Sequence, residues 1–127
     1  YLLRKNGDEP QPLSVTGMPI GIDEDTLWGK ATVQIEPGDV LVLYTDGIPD
    51  AQNEDGEFFQ KERLLDVARS NAECSRAHEL QSIIIESVQA FIGEAAQFDD
   101  ITLVVLGRDV NGTGENVDVE REEGEFV

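Results

Sequence analysis

The chain has 127 residues, 39% of them hydrophobic, and a formal net charge of −18, which suits one domain with a modest core. The acidity disfavours nucleic acid and anionic membranes as partners, because phosphate groups are bound by clusters of Lys and Arg and this chain has only nine such residues. Cys74 is the single cysteine, so an internal disulfide is excluded and a reducing, cytoplasmic setting is expected.

The first half of the chain predicts mainly strands. Residues 1–4 predict a short strand. The chain begins with Tyr1 and not with a methionine, so we expect it to be a piece of a longer protein. A loop rich in Gly and Pro follows at residues 15–22. Partial alternation over residues 26–35 predicts a second strand, and the turn-forming sequence of residues 36–39 predicts a hairpin with the strand over residues 40–45.

The sequence from residue 40 onwards predicts a central strand, two helices and a last strand. The strand over residues 40–45 is apolar on both faces, so we expect a central strand that is covered on both sides. Residues 57–70 carry apolar side chains at helical spacing, and a second amphipathic helix is predicted from Ser75 to Gly93. Residues 101–107 predict a final apolar strand, which gives an order of three strands, two helices and one strand.

The end of the sequence is strongly acidic. Residues 109–127 hold seven acidic residues against one basic residue, Arg121, and so carry a net charge of −6. A segment with this composition cannot bury enough apolar surface to fold. We therefore expect a domain over residues 1–108 and a disordered acidic tail over residues 109–127. The sequence contains no apolar stretch of the ~18 residues that would cross a bilayer, and no membrane contact by this segment is expected.

Acidic residues adjoin two of the apolar strands. Asp46 directly follows one strand, and Asp99 and Asp100 directly precede another. If the two strands are antiparallel neighbours, these ends share one edge of the sheet, so Asp46 and Asp99 converge although 53 positions separate them. Carboxylates that converge in this way can bind a divalent cation. Gly47 would allow a ligand to approach the backbone closely, although Asp-Gly is also a common turn sequence.

Several short motifs occur in the order and spacing of a known family: Gly38–Ile48, Asp50-Ala51, Gly56-Glu57, Glu62–Leu64 and Asp99–Val105. Over residues 1–108 the chain resembles the C-terminal half of the bacterial PP2C-like (PPM-type) phosphatases of the SpoIIE/RsbU family. The resemblance implies an α+β fold, a partial α-β-β-α sandwich with mainly antiparallel strands and two helices. It also implies a protein serine/threonine phosphatase that depends on two Mn²⁺ or Mg²⁺ ions.

The resemblance assigns roles to individual residues. It implies that Asp46 and Asp99 ligate metal, that Asp100 is a further candidate ligand, and that Gly47 contributes only its backbone. Asp50 is a candidate for a supporting position beside the ligands. In this family the metal-activated water attacks the phosphorus in line, and the substrate is a phosphorylated protein of the anti-sigma-factor-antagonist type. The sequence does not determine the oligomeric state.

One metal motif of the family has no counterpart in the sequence. This motif is an Asp followed by a Gly-His-Gly type segment, and its Asp bridges the two metals. We therefore expect half a metal centre and no activity from this chain alone. Two alternatives remain: a catalytically inactive phosphatase-like signalling module, and a receiver domain, which the direct connection of residues 26–35 to the next strand disfavours.

Other residues with chemical potential have simpler explanations. Asn53, Asp55, Gly56 and Glu62 follow part of the EF-hand spacing, but Ala51 occupies the first ligand position, so a polar turn is the better interpretation. His78 is expected at the surface of a helix and Cys74 is expected to be passive. Trp28 and the pair Phe58-Phe59 are expected to serve packing.

Overall fold

The computed structural model describes residues 1–13, 17–19, 21–72, 76–97 and 99–110. Within these residues the chain forms a three-stranded sheet and two helices: β1 Leu2–Leu3, β2 Val40–Tyr44, α1 Gln60–Ala72, α2 Ala77–Ile92 and β3 Leu103–Gly107. This arrangement confirms the predicted α+β class with mainly antiparallel strands. In this part of the chain neither helix combines the length and the apolar character needed to cross a membrane. The predicted acidic tail, apart from residues 109–110, lies outside the described residues.

The sheet has the order β1-β2-β3, and both pairs of strands are antiparallel. The strand β2 pairs with β3 along its whole length, from Val40 opposite Gly107 to Tyr44 opposite Leu103. Its other side pairs with β1, where Leu2 lies opposite Leu41. The C-terminal end of β2 and the N-terminal end of β3 therefore lie at the same edge of the sheet.

The predicted strand over residues 26–35 is wrong, and so is its hairpin with β2. Both sides of β2 already pair with β1 and β3, which leaves no free edge for a further strand. Residues 26–36 instead form an irregular segment held by arginine side chains that directly follow the two outer strands, β1 and β3. Arg4 Nη1 donates to the carbonyl oxygen of Gln34 at 2.8 Å, and Arg108 Nη1 donates to that of Ile35 at 2.6 Å.

The hydrophobic core lies between one face of the sheet and the two helices. Helix α2 faces the core with residues spaced four apart, as its periodicity predicts, and it ends at Gly93, whose φ of 60° suits glycine. The ring of Phe59 meets that of Phe91 edge to face at 5.4 Å, which confirms a packing role for Phe59. The buried core residues of the sheet and helices are Leu3, Val40, Val42, Leu64, Ala68, Leu80, Ile84, Val88, Ile92 and Leu103.

The opposite face of the sheet carries exposed apolar side chains. Leu43, Val104 and Leu106 are 46%, 45% and 53% exposed, and together they form what we call the open sheet face. Leu43 lies directly opposite Val104 across the ladder, so their side chains are on the same face. The expectation that β2 is covered on both sides is therefore wrong for the described residues, because both helices pack against the other face.

Asp39, directly before β2, is a buried carboxylate that joins the end of β1 to the turn at residues 36–39. The residue is 2% exposed. It accepts hydrogen bonds from the backbone N–H of Glu36 at 2.9 Å, from that of Lys5 at 3.1 Å and from Arg4 Nη1 at 2.6 Å. Burial alone would raise the pKa of Asp39, but these hydrogen bonds and the charge of Arg4 outweigh burial and lower it.

We expect Asp39→Asn to lower the free energy of unfolding by about 2 kcal/mol at neutral pH, because an amide cannot replace the charged acceptor in this network. The folded-state pKa lies below the unfolded value of about 3.9, so the stabilisation is present above that value. It is lost as the pH falls through the folded-state pKa. The difference between the two proteins should therefore shrink in acid.

Urea unfolding followed by circular dichroism at neutral pH and at about pH 3 measures this difference. Asp25→Asn is the matched control, because Asp25 is exposed and surface substitutions usually change stability by less than about 0.5 kcal/mol. Equal stability of Asp39→Asn and the wild type at neutral pH would show that the network does not stabilise the fold.

Candidate metal centre

Asp46 lies in a tight turn that follows β2. The turn is closed by the backbone N–H of Ile48, which donates to the carbonyl oxygen of Thr45 at 3.2 Å, and by that of Asp50, which donates to Asp46 at 2.9 Å. Ile48 is fully buried and anchors the turn to the core. The side chain of Asp46 is exposed. The turn therefore holds the backbone of Asp46 in place and leaves its carboxylate accessible.

Asp99 and Asp100 lie in the segment that leads into β3. The Oδ1 atom of Asp99 accepts a hydrogen bond from the backbone N–H of Asp100 at 2.8 Å, and Gln97 Nε2 donates to the carbonyl oxygen of Asp99 at 2.8 Å. Both aspartates are exposed. The carboxylates of this second segment are thus also accessible.

Three hydrogen bonds from Thr45 join these two segments. Its backbone N–H donates to the carbonyl oxygen of Thr102 at 3.1 Å, its hydroxyl accepts from the N–H of Thr102 at 3.1 Å, and the same hydroxyl donates to the carbonyl oxygen of Asp100 at 3.3 Å. We call this arrangement the strand-end joint. It places Asp46 and Asp99 at one edge of the sheet, as the strand pattern predicts. We call Asp46, Asp99 and Asp100 the acidic edge.

Gly47 is required at the strand-end joint for reasons of space. A Cβ atom at this position would lie 2.8 Å from the carbonyl carbon of Asp100 and closer still to the carbonyl oxygen. Both are backbone atoms, so neither can move aside as a flexible side chain could. The absence of a side chain at Gly47 therefore allows the two acidic segments to pack directly against each other.

The surroundings of the acidic edge have a negative potential. Burial raises the pKa of the Tyr44 phenol, and the negative charges of Asp46 and Glu62 contribute to the same shift. The phenol therefore stays neutral around physiological pH. Its ring stacks on that of Tyr1 with a centroid separation of 6.3 Å. A site of this sign attracts cations.

The donor groups at the acidic edge suit a hard divalent cation. Carboxylate oxygens are preferred ligands of Mg²⁺ and Mn²⁺, and within the described residues no hydrogen bond occupies the carboxylate of Asp46 or Asp100. The same part of the chain has no group of three or more His, Cys, Asp or Glu side chains placed to hold a metal. Since Mg²⁺ requires about six oxygen ligands, these residues could supply only part of a coordination shell. Their role as ligands stays a prediction.

The alternative calcium loop is a polar turn. Asn53 Oδ1 accepts the backbone N–H groups of Asp55 at 3.1 Å and Glu57 at 2.8 Å, and Gln52 pairs with Phe58 across the turn. The side-chain oxygen that an EF-hand would use for calcium thus caps the backbone instead. The preferred interpretation as a polar turn is confirmed.

The other candidates from the sequence are His78, Cys74 and Trp28. His78 is exposed on α2, and Cys74 lies outside the described residues. Trp28 is 44% exposed, and its Nε1 donates to the carbonyl oxygen of Met18 at 2.7 Å. Of the predicted Gly/Pro loop, residues 17–19, 21 and 22 are described, and Trp28 ties this part to the irregular segment that follows. The Trp28 ring lies outside the hydrophobic core and packs beside Gly17, so it serves packing within this loop.

Comparison with known proteins identifies the family. The family described as Stage II sporulation protein E (SpoIIE) matches residues 1–109. The chain belongs to the SpoIIE family. Protein IcfG of Synechocystis sp. is a relative with 33% identity over 108 residues, which are 85% of this chain and 17% of that protein. Phosphoserine phosphatase RsbU of Bacillus subtilis is 31% identical over 98 residues, or 77% of this chain and 28% of that protein.

A solved structure shows the same fold. The SiaA-PP2C domain of Pseudomonas aeruginosa superimposes with a TM-score of 0.56 and 31% identity, over 61% of this chain and 31% of that one. The predicted PP2C-like fold of this SpoIIE-family chain is thereby confirmed. The chain spans less than a third of the length of each of these three proteins.

The functional sequence patterns described above do not include the contacts of Thr45 and Asp39. A hydroxyl residue directly between a strand and an acidic residue is a signal that could have directed attention to Thr45. Asp39 offered no such signal, because an Asp after Pro-Gly is an ordinary turn residue.

Proposed function

We propose that this chain is the C-terminal part of a metal-dependent protein serine/threonine phosphatase of the PP2C type. The observation that carries the proposal is the strand-end joint, which brings Asp46 and Asp99 to one edge of the sheet. Membership of the SpoIIE family and the 31% identity to phosphoserine phosphatase RsbU support the same reaction. The proposed substrate is a cytoplasmic phosphoprotein of the anti-sigma-factor-antagonist type, in bacterial sigma-factor regulation.

The residues of the acidic edge would have distinct tasks in this reaction. Asp46 and Asp99 would bind Mn²⁺ or Mg²⁺ through carboxylate oxygens, and Asp100 is a further candidate. Two such ions supply an activated water and positive charge for hydrolysis of a phosphate ester. Thr45 holds the two acidic segments together, and Gly47 permits their close contact. No covalent intermediate on the protein is needed.

We further propose that this chain is inactive on its own. Two observations support this view: the apolar open sheet face, and the small share of each relative that the chain spans. The missing part would supply the second half of the sandwich and the metal-bridging Asp. A receiver domain is not supported, because its sheet is parallel whereas the strands here are antiparallel.

We expect the isolated chain to release no more phosphate from p-nitrophenyl phosphate with Mn²⁺ than with EDTA. Addition of the N-terminal half of the parent domain should restore Mn²⁺-dependent release, because it completes the coordination shell. A colorimetric assay of the chain alone, of the N-terminal half alone and of the mixture measures this.

Two outcomes would contradict the proposal in different ways. Mn²⁺-dependent activity of the isolated chain would show that it contains a full metal centre. A complete, folded domain that binds a phosphoprotein without hydrolysing it would favour the alternative of a catalytically inactive signalling module.

A further inference from the structure

The hydroxyl of Thr45 makes two hydrogen bonds beyond the end of the β2–β3 ladder. The regular pairing ends with Tyr44 opposite Leu103. One residue later, the Thr45 hydroxyl accepts the N–H of Thr102 at 3.1 Å and donates to the carbonyl oxygen of Asp100 at 3.3 Å. The backbone N–H of Thr45 still donates to the carbonyl oxygen of Thr102 at 3.1 Å, and the hydroxyl adds two further hydrogen bonds between the two segments.

The position of this hydroxyl relates it to the proposed ligands. Thr45 directly precedes Asp46, and the acceptor Asp100 directly follows Asp99. The bond from the hydroxyl to Asp100 therefore links the backbones that carry the two carboxylates. The backbone bond from Thr45 to Thr102 at 3.1 Å extends the antiparallel pairing of the two strands by one residue. Gly47 lies against the same carbonyl group of Asp100, and its lack of a side chain permits the close approach of the two segments.

Ligand spacing matters for the cations in question. Mg²⁺ demands near-ideal octahedral geometry, so carboxylates on separate segments must be held at a fixed separation. Hydrogen bonds behind the ligands commonly provide this, and their loss typically weakens metal binding by about 10- to 100-fold. The two acidic segments are far apart in sequence, so their separation depends on contacts such as the strand-end joint.

We infer that Thr45 is a positioning residue, whose hydroxyl sets the spacing between Asp46 and Asp99 and thereby the metal affinity of the acidic edge. This inference rests on the proposed function. Thr45 acts through the backbones of its neighbours and does not itself bind the metal.

The first test concerns the joint itself and uses this chain. Thr45→Val keeps the shape and β-branching but removes the hydroxyl, and Thr45→Ser keeps the hydroxyl. We expect the amide hydrogen of residue 102 to exchange about tenfold faster in Thr45→Val, which corresponds to about 1.4 kcal/mol, and at the wild-type rate in Thr45→Ser. Thr102→Val is the matched control, because the joint uses only the backbone of Thr102. Unchanged exchange in Thr45→Val would overturn the inference.

The second test concerns the metal and uses the complete domain. The Mn²⁺ concentration for half-maximal phosphate release should rise about tenfold in Thr45→Val. The rate at saturating Mn²⁺ should stay within about twofold of the wild type, since the ligands remain, and Thr45→Ser should restore the wild-type response. Thr45→Ala replaces Thr45→Val if circular dichroism shows that valine disturbs the fold.

The outcomes separate this inference from the proposed function. A wild-type domain that requires Mn²⁺, together with a Thr45→Val variant of equal Mn²⁺ dependence, would overturn the positioning role alone. A folded wild-type domain without any Mn²⁺-dependent hydrolysis would overturn the proposed function and this inference with it.

Discussion

Replacement of Asp46 or Asp99 by Asn is expected to abolish Mn²⁺-dependent phosphate release by the complete domain. The amide keeps the size of the side chain but loses the negative charge that attracts a divalent cation. Both residues are exposed, so the free energy of unfolding should change by less than about 0.5 kcal/mol. Hydrolysis of p-nitrophenyl phosphate over a range of Mn²⁺ concentrations, with thermal unfolding as a check, measures both effects.

The control for these variants is Asp55→Asn. Asp55 is exposed as well, but it lies in the polar turn at residues 53–57 and away from the strand-end joint. This variant should keep the wild-type rate. Asp100→Asn tests the third candidate ligand in the same assay. Unchanged rates in both Asp46→Asn and Asp99→Asn would show that these carboxylates do not hold the catalytic metal.

Gly47→Ala is expected to destabilise the fold by about 3 kcal/mol or more, at the upper end of the cost of overpacking. The added Cβ would lie 2.8 Å from the carbonyl carbon of Asp100, and backbone atoms on both sides of the contact leave little room to adjust. The two acidic segments would have to separate, so Mn²⁺ activation of the complete domain should be lost. Urea unfolding and Mn²⁺ titration measure the two effects.

Gly56→Ala is the matched control for Gly47→Ala. Gly56 has a φ of +78°, but a Cβ at that position would have no atom within 4 Å. Its replacement should cost about 1 to 2 kcal/mol through backbone strain alone and should leave Mn²⁺ dependence unchanged. If Gly47→Ala were no more harmful than Gly56→Ala, close packing of the acidic segments would not matter.

The parts of the fold that sequence analysis predicts correctly depend on local patterns. The spacing of Leu80, Ile84 and Val88 defines the buried face of α2 wherever that helix lies. The convergence of Asp46 and Asp99 required one further assumption, the antiparallel pairing of two apolar strands. The register of β2 with β3 confirms it. The roles of these residues as metal ligands stay predictions.

The features that were predicted wrongly or not at all depend on contacts with distant segments of the chain. The turn at residues 36–39 suggested a hairpin, but it could not reveal that β1 and β3, from distant segments, occupy both sides of β2. The hydrogen bonds of Asp39 and Thr45 could not be predicted either, because their partners Arg4 and Thr102 are 35 and 57 positions away. Residues of this kind become visible only when the tertiary contacts are known.

The open sheet face also affects the self-association of this segment in solution. Three neighbouring aliphatic side chains are in contact with water there, which favours association of two copies through this face. The net charge of −18 opposes that encounter through long-range repulsion. Added salt screens the repulsion within about 10 Å at 0.1 M but leaves the hydrophobic attraction in place. The colloidal stability of the segment therefore depends on ionic strength, and dilute, low-salt buffers suit its study.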